Sequence, residues 1–198
     1  VAILSKNCAW WLMTDLAIWM AGYVSVPLYP TLAPETITQI LEHSESRFIF
    51  IGKLDGWEGM KPGVPAGLPG ASYALSPDDA KRSYEGWDAI CARTEPLQGE
   101  PTRGADELCT LIYTSGTTGL PKGALISHRA MAARALAYAA ELNVPGRDNF
   151  VAWAPLFHMV STDHALASLT RGGQVIVIDG FQPELLMTCL ERYALHWL

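Results

Sequence analysis

The chain of 198 residues has no run of lysine or arginine, no closely spaced cysteine pair, no internal repeat and no low-complexity tract. Each absence excludes something. With 14 basic against 20 acidic residues, a net charge of −6 and no basic cluster, the chain offers no face for nucleic acid, and its acidity reads as a matter of solubility. Cys8, Cys91, Cys109 and Cys189 are scattered without a Cys-x-x-Cys spacing, which argues against a disulfide framework or a zinc site and for a reducing, cytoplasmic setting. Three of them, Cys8, Cys109 and Cys189, lie in apolar segments where a thiol behaves as a small buried hydrophobe. No basic segment with a small-residue cleavage site opens the chain, so no cleavable signal is read.

One long apolar stretch is present. From Cys8 to Pro30 the only charge is Asp15, and the length matches the roughly 20 residues of a membrane span. Gly22 and the run Tyr23-Val24-Ser25-Val26 divide it into a helix and a strand, and Pro27 and Pro30 close it. A spanning helix is therefore not expected, which leaves peripheral membrane association open. Oligomeric state has no signature. Both ends read as cut: the chain starts on the strand-like Val1-Ala2-Ile3-Leu4 and stops where an apolar element begins at His196-Trp197-Leu198.

Strands and helices alternate along the chain. Strands are expected at Val1 to Leu4, Tyr23 to Tyr29 and Arg47 to Ile51. Between them lie a helix from about Cys8 to Ala21, capped by Asn7, and one from Pro34 to about His43. This βαβαβ order predicts an α/β fold, a layered and mostly parallel sheet flanked by helices. From 53 to 104 the chain turns rich in Gly, Pro and acidic residues and reads as an irregular surface excursion. It has one helical island near Tyr84 to Ala92, with Trp87, Ile90 and Cys91 as its stripe. Glu107 to Thr114 restores the sheet. Ser127 caps a helix to about Leu142 whose inner face is Met131, Ala135, Ala139 and Leu142. A strand Phe150 to Leu156, a helix from about Val160 to Arg171, a strand Gln174 to Ile178 and a helix Pro183 to Tyr193 complete the pattern. The boundaries expected are a first α/β subdomain over 1–145 and the start of a second over 146–198.

The chemistry lies in Leu111-Ile112-Tyr113-Thr114-Ser115-Gly116-Thr117-Thr118-Gly119-Leu120-Pro121-Lys122-Gly123. An apolar strand runs into a loop of hydroxyls and glycines that ends in one lysine. Glycines let successive backbone N–H groups turn toward an anion, the hydroxyls add short donors, and Lys122 adds a point charge. The N-terminus of the helix after Ser127 is expected to add to the positive field. A polar turn with glycines for geometry alone would not need this density of donors. The pattern is not that of triphosphatases, in which Gly-Lys precedes Ser or Thr.

The thirteen-residue string resembles the phosphate loop of adenylate-forming enzymes, the superfamily of acyl- and aryl-CoA synthetases, peptide-synthetase adenylation domains and beetle luciferases. Val1 to Asn7, Ala17 to Gly22 and Val26-Pro27-Leu28-Tyr29-Pro30-Thr31 resemble the N-terminal lobe of fatty acyl-CoA synthetases. The resemblance covers most of the chain and thins between Lys53 and Gly104. It implies ATP-dependent activation of a carboxylic acid, in particular a fatty acid, to acyl-AMP, followed by thioester formation with CoA, with ATP, Mg2+ and CoA as cofactor and co-substrates. An adenylation domain that loads a carrier protein and a non-catalytic nucleotide-binding module are the alternatives.

The resemblance assigns the β- and γ-phosphates to Ser115, Gly116, Thr117, Thr118, Gly119 and Lys122, and places Thr114 near magnesium. Pro155-Leu156-Phe157-His158 resembles the family's second core motif, in which the histidine lies near the substrate carboxylate; Lys122 and His158 are the catalytic candidates. Many relatives carry glycine where this chain has Val160 or Ser161. His128 reads as packing or capping at a helix start. Asp163 and His164 follow His158 closely in the chain, Met159 and His164 are expected near it on the next helix turn, and no third ligand completes a metal site. The later glutamate, aspartate and lysine motifs are not within these 198 residues, so the chain alone is expected to be inactive.

Overall fold

Short apolar runs that are buried on both faces suit a parallel sheet covered by helices. Three such runs form β1 (Ala2–Leu4), β2 (Val26–Leu28) and β3 (Ile49–Ile51), joined by α1 (Ala9–Met20) and α2 (Pro34–His43). In the computed structural model, which describes residues 1–100, 103–114 and 121–195, β1 is flanked by β2 and β3, both parallel to it. Pro27 is tolerated inside β2 because its ring nitrogen faces the outer edge, where the next strand bonds only at Ser25. At the end of α1, Gly22 takes a φ of +77°, which only glycine adopts without strain. The Tyr23 and Gly22 N–H groups then reach back to the Ile18 and Trp19 carbonyls, both at 2.9 Å, and satisfy the last turn.

The segment expected as an excursion instead extends the sheet. After α3 (Trp57–Met60) and a 3-10 turn at Lys61–Gly63 come β4 (Gly70–Ser72), α4 (Asp78–Ser83), β5 (Glu85–Gly86) and α5 (Trp87–Arg93). The order β2-β1-β3-β4-β5 is parallel throughout. Strand β4 opens on a glycine because its site admits no side chain there. A Cβ on Gly70 would sit 2.5 Å from the Ile49 carbonyl and 2.8 Å from the Tyr84 ring. The expected stripe of α5 is only partly inward: Trp87 packs against Phe50 and Tyr73, whereas Cys91 is exposed.

Strand β6 (Leu108–Thr114) lies parallel to the chain just before β2, joined at Ser25 and Thr110 by two backbone hydrogen bonds of 2.9 and 2.8 Å. It then pairs antiparallel with β7 (Lys122–Ser127), a strand the sequence reading did not include. Ser127 caps α6 (His128–Glu141) as expected, its hydroxyl accepting from the Ala130 N–H at 3.2 Å. Met131, Ala135 and Ala139 are buried, but Leu142, just past the helix, is exposed. Strand β8 (Asn149–Ala152) ends earlier than expected, so that residues 153–158 form a turn before α7 (Met159–Thr170). Strand β9 (Gln174–Val177) pairs parallel with β8, and α8 (Pro183–Arg192) follows.

Alternation along the strands separates the layers. Ala2 and Leu4 face α2 and α3 with Val26, Leu28, Ile37 and Ile40, while Ile3 faces α1. Helices α1, α6 and α7 share a core with Phe150 and Ala152 of β8, and the opposite face of β8 meets α8 through Val151, Ile178, Leu186 and Cys189. The result is a helix–sheet–helix–sheet–helix stack. Among the described residues no helix is long and apolar enough to cross a membrane.

Candidate functional site

Parallel strands place their C-terminal ends, and the loops that follow them, at one edge, where open α/β sheets bind ligands. Because β6 runs parallel beside the approach to β2, Thr114 ends at the same edge as β1, β2 and β3. The chain returns at Pro121, and Lys122 stands opposite Thr114 in register. Both are exposed, and partners in antiparallel strands lie about 5 Å apart at Cα. An ammonium and a hydroxyl thus flank the two stems of the loop. Next along β6, Tyr113 is buried and its hydroxyl is 2.6 Å from His43 Nδ1 at the end of α2, which ties the stem to the helix layer. Opposite Tyr113 is Gly123, where a Cβ would lie 2.8 Å from Leu111 and 3.3 Å from the Tyr113 ring. The glycine leaves room for both side chains to lie across β7.

The second part of the edge is the turn from Trp153 to His158. It closes with a 3.1 Å hydrogen bond from the His158 N–H to the Pro155 carbonyl, and His158 stands exposed as the residue before α7. Phe157 lies edge-on to Tyr29, the residue after β2, with ring centroids 4.9 Å apart. Beside this turn is a cleft of about 480 Å³ whose walls include Pro30, Trp153, Phe157, Lys6 and Asp179. Lys6 Nζ lies 2.8 Å from both Asp179 and Asp55, and Lys53 lies 2.7 Å from Asp179. The bond to Asp179, then that to Asp55, raises the Lys6 pKa. Burial works to raise that of Asp179, but the bonds from Lys53 and Lys6 prevail and hold it below the usual carboxylate range. A larger depression of about 580 Å³ near Arg47 and Pro69 lies at the N-terminal ends of β3 and β4, the opposite edge from the loop.

The family model described as AMP-binding enzyme matches residues 1–198. The chain belongs to the AMP-binding enzyme family. Among curated relatives, it is 29% identical to the medium-chain fatty-acid–CoA ligase of Escherichia coli, over 89% of this chain and 32% of that protein. It is 26% identical to the peroxisomal long chain acyl-CoA synthetase 6 of Arabidopsis thaliana, over 94% of this chain and 28% of that one. The chain therefore spans about a third of the length of these relatives. Solved structures agree on the fold. One is O-succinylbenzoate coenzyme A synthetase from Bacillus subtilis in complex with AMP, with a TM-score of 0.76 at 22% identity, covering 98% of this chain and 46% of that one. Another is a structure titled as a putative long-chain-fatty-acid CoA ligase from Rhodopseudomonas palustris, with a TM-score of 0.80 at 20% identity, over 96% and 47%.

In this chain Ser115, Gly116, Thr117, Thr118 and Gly119 fall outside the described residues, while Thr114, Lys122 and His158 share the C-terminal edge. Two expectations are corrected. The helix after Ser127 cannot lend its field to the loop, because its first residue lies six positions along the chain from Lys122, about 20 Å at the usual strand rise. Asp163 and His164 do not gather around His158 either. The Asp163 carboxylate accepts from Arg134 of α6 at 2.5 and 2.9 Å, and the His164 ring lies against Tyr138 and Phe150, where burial lowers its pKa. Met159 turns inward, lining a small void with Trp11 and Asp15. His128 packs edge-on to Trp19. Among the described residues no three His, Cys, Asp or Glu side chains could hold a metal ion. The hydroxyl of Thr114 is nonetheless the hard oxygen that Mg2+ takes beside phosphate oxygens and water.

Sequence reasoning passed over three residues that build this edge: Asn7, Tyr29 and His43. Asn7 was assigned to the N-cap of α1, a position that Cys8 occupies without a side-chain cap. Its place directly after an apolar strand, where a parallel sheet presents ligand-facing loops, was the available signal. His43 had none, since its partner Tyr113 is 70 positions away.

Proposed function

We propose that the full-length protein is an AMP-forming acid–thiol ligase acting on fatty acids in the cytoplasm, and that this chain carries its triphosphate loop and part of its acid site. The observation that supports the reading most is the hairpin that sets Lys122 beside Thr114 at the edge that His158 shares. The substrate carboxylate attacks the α-phosphorus of ATP, a P–O bond forms, and pyrophosphate leaves with the electron pair. The CoA thiol, on losing its proton, then attacks the acyl carbon and AMP departs. Charge neutralisation and alignment carry the first step.

In this reading the backbone N–H groups and hydroxyls of Ser115, Gly116, Thr117, Thr118 and Gly119 hold the β- and γ-phosphates with Lys122. Thr114 contributes one ligand to magnesium, which when bound supplies positive charge to the phosphates. His158 orients the acid carboxylate. Strand β7 follows the loop, so the N-terminus of α6 does not supplement Lys122. Its removal should therefore weigh heavily: Lys122→Ala in the full-length protein is expected to lower ATP–pyrophosphate exchange with medium- and long-chain fatty acids about 10²–10³-fold, the usual cost of losing one donor to developing charge. Because Lys122 is exposed at a strand end, the thermal midpoint should not move. An unchanged exchange rate would refute the assignment.

A further inference from the structure

The turn that carries His158 does not hold itself. Its one internal backbone bond is the 3.1 Å contact between His158 N and Pro155 O, and Leu156 at its centre is buried. Most of its side-chain hydrogen bonds come from a single amide. Asn7 Nδ2 donates to the Ala154 carbonyl at 2.7 Å and to that of Ile178 at 3.1 Å, with longer contacts to Ala152 and Trp153 at 3.3 and 3.4 Å. Asn7 Oδ1 accepts from the Leu156 N–H at 2.8 Å. Oxygen toward the one N–H and nitrogen toward the carbonyls is the only orientation that satisfies both sides, so the network itself fixes the amide. Asn7 is 5% exposed, so water does not compete for these bonds. From the opposite side, the Thr162 hydroxyl on α7 donates to the Leu156 carbonyl at 2.7 Å, with a longer 3.5 Å contact to that of His158.

We propose that Asn7 is a positioning residue for the acid-activation step, setting the turn so that His158 meets the substrate carboxylate, with Thr162 as the second brace. This rests on the functional reading above. The bracing is directional. Asn7 holds the Ala154 carbonyl and the Leu156 N–H while Thr162 holds the Leu156 carbonyl, and together they fix the planes of successive peptides and with them the direction in which the chain presents His158. Asn7 also joins the chain after β1 to the chain after β8 and β9, so the two walls of the Lys6 cleft keep one spacing.

The test uses the full-length protein and four variants: Asn7→Ala, Asn7→Asp, Thr162→Val and Thr162→Ser. ATP–pyrophosphate exchange gives kcat and KM for a fatty acid, binding of a fluorescent ATP analogue gives the affinity of the phosphate site, and a thermal melt reports folding. A displacement of about 1 Å at a reacting group costs about 100-fold. The expected result is therefore a 10- to 100-fold loss in kcat/KM for the acid in Asn7→Ala, Asn7→Asp and Thr162→Val, with ATP affinity unchanged. Thr162→Ser, which keeps the hydroxyl, should behave as wild type. Asn7→Asp should do no better than Asn7→Ala, since its second oxygen faces the Ala154 and Ile178 carbonyls. If Asn7→Ala does not fold, Thr162→Val against Thr162→Ser decides.

His158→Ala in the same assay separates the two claims. With the histidine gone, adding Asn7→Ala should lower the acid parameters no further, since groups acting through one another are not additive. Unchanged acid parameters in His158→Ala overturn the functional reading and the positioning claim with it. An impaired His158→Ala beside unimpaired Asn7→Ala and Thr162→Val overturns the positioning claim alone, as does a parallel loss of ATP affinity.

Discussion

Asp15 gives the most quantitative test of how the core is built. It is the only charge on the apolar α1, and it is 1% exposed, with one carboxylate oxygen lacking any hydrogen-bond partner. Trp11, Trp19, Thr110 and Met131 line the small void beside it, and Ser25, Cys109 and Tyr73 are the polar groups that sense it. Burial moves its pKa from an ordinary 3.8 to about 7, with a Ser25 hydrogen bond opposing the rise. Each pKa unit corresponds to about 1.4 kcal/mol, so holding the ionised form inside costs the fold about 4 kcal/mol. The sign follows from proton linkage: the folded chain keeps a proton that the unfolded chain releases near pH 3.8. The stabilisation from the protonated form is complete below about pH 4, falls as the pH rises toward 7, and is gone above it. Asp15→Asn keeps the shape and removes the titration. Its stability relative to the parent should therefore grow by about 4 kcal/mol between pH 4 and pH 7.5 and then level off. Urea unfolding followed by tryptophan fluorescence measures this, with Trp11 and Trp19 beside the site. Parallel pH profiles for the two proteins would refute the reasoning.

Two further expectations concern the same layers. Arg134→Ala leaves the fully buried Asp163 carboxylate without its cation. A pair buried on both sides would lose about 3–5 kcal/mol, and because Arg134 is 43% exposed the expected loss is about 1–3 kcal/mol; an unchanged midpoint in urea unfolding would refute a stabilising role for the pair. The 198 residues expressed alone should give no ATP–pyrophosphate exchange with any fatty acid, and a signal above buffer would show that the loop and the His158 turn suffice for adenylation.

Much of the edge was legible in the sequence because its chemistry is local. Thr114 to Lys122 is one contiguous string, and the βαβαβ order around it follows from apolar runs and breakers such as Gly22 and Pro34. The parts that escaped had physical reasons to be silent. Strand β7 is an edge strand exposed over much of its length, so Lys122 to Ser127 never had to alternate. Strand β4, Gly70-Ala71-Ser72, is crowded at Gly70, and β5 is only the two residues Glu85-Gly86, so neither accumulates an apolar run. The pairings of Asn7 with residues 152–178 and of His43 with Tyr113 span the fold, and side-chain period carries no trace of them. Asp163 misled for the converse reason. On α7 it is one turn from His158, yet its side chain points across to Arg134 on α6.

The grip of Asn7 on Leu156 also has a meaning in time. The two residues are 149 positions apart, and a ribosome adding about 5–20 residues per second needs roughly 7–30 s to cover that distance. Through that interval the N-terminal sheet can form while its amide waits for a partner. The turn that carries His158, in contrast, has no template of its own until β8 emerges and finds the amide in place. Within this chain the order of synthesis is thus an order of assembly: β1 is made before the turn that its neighbouring amide braces.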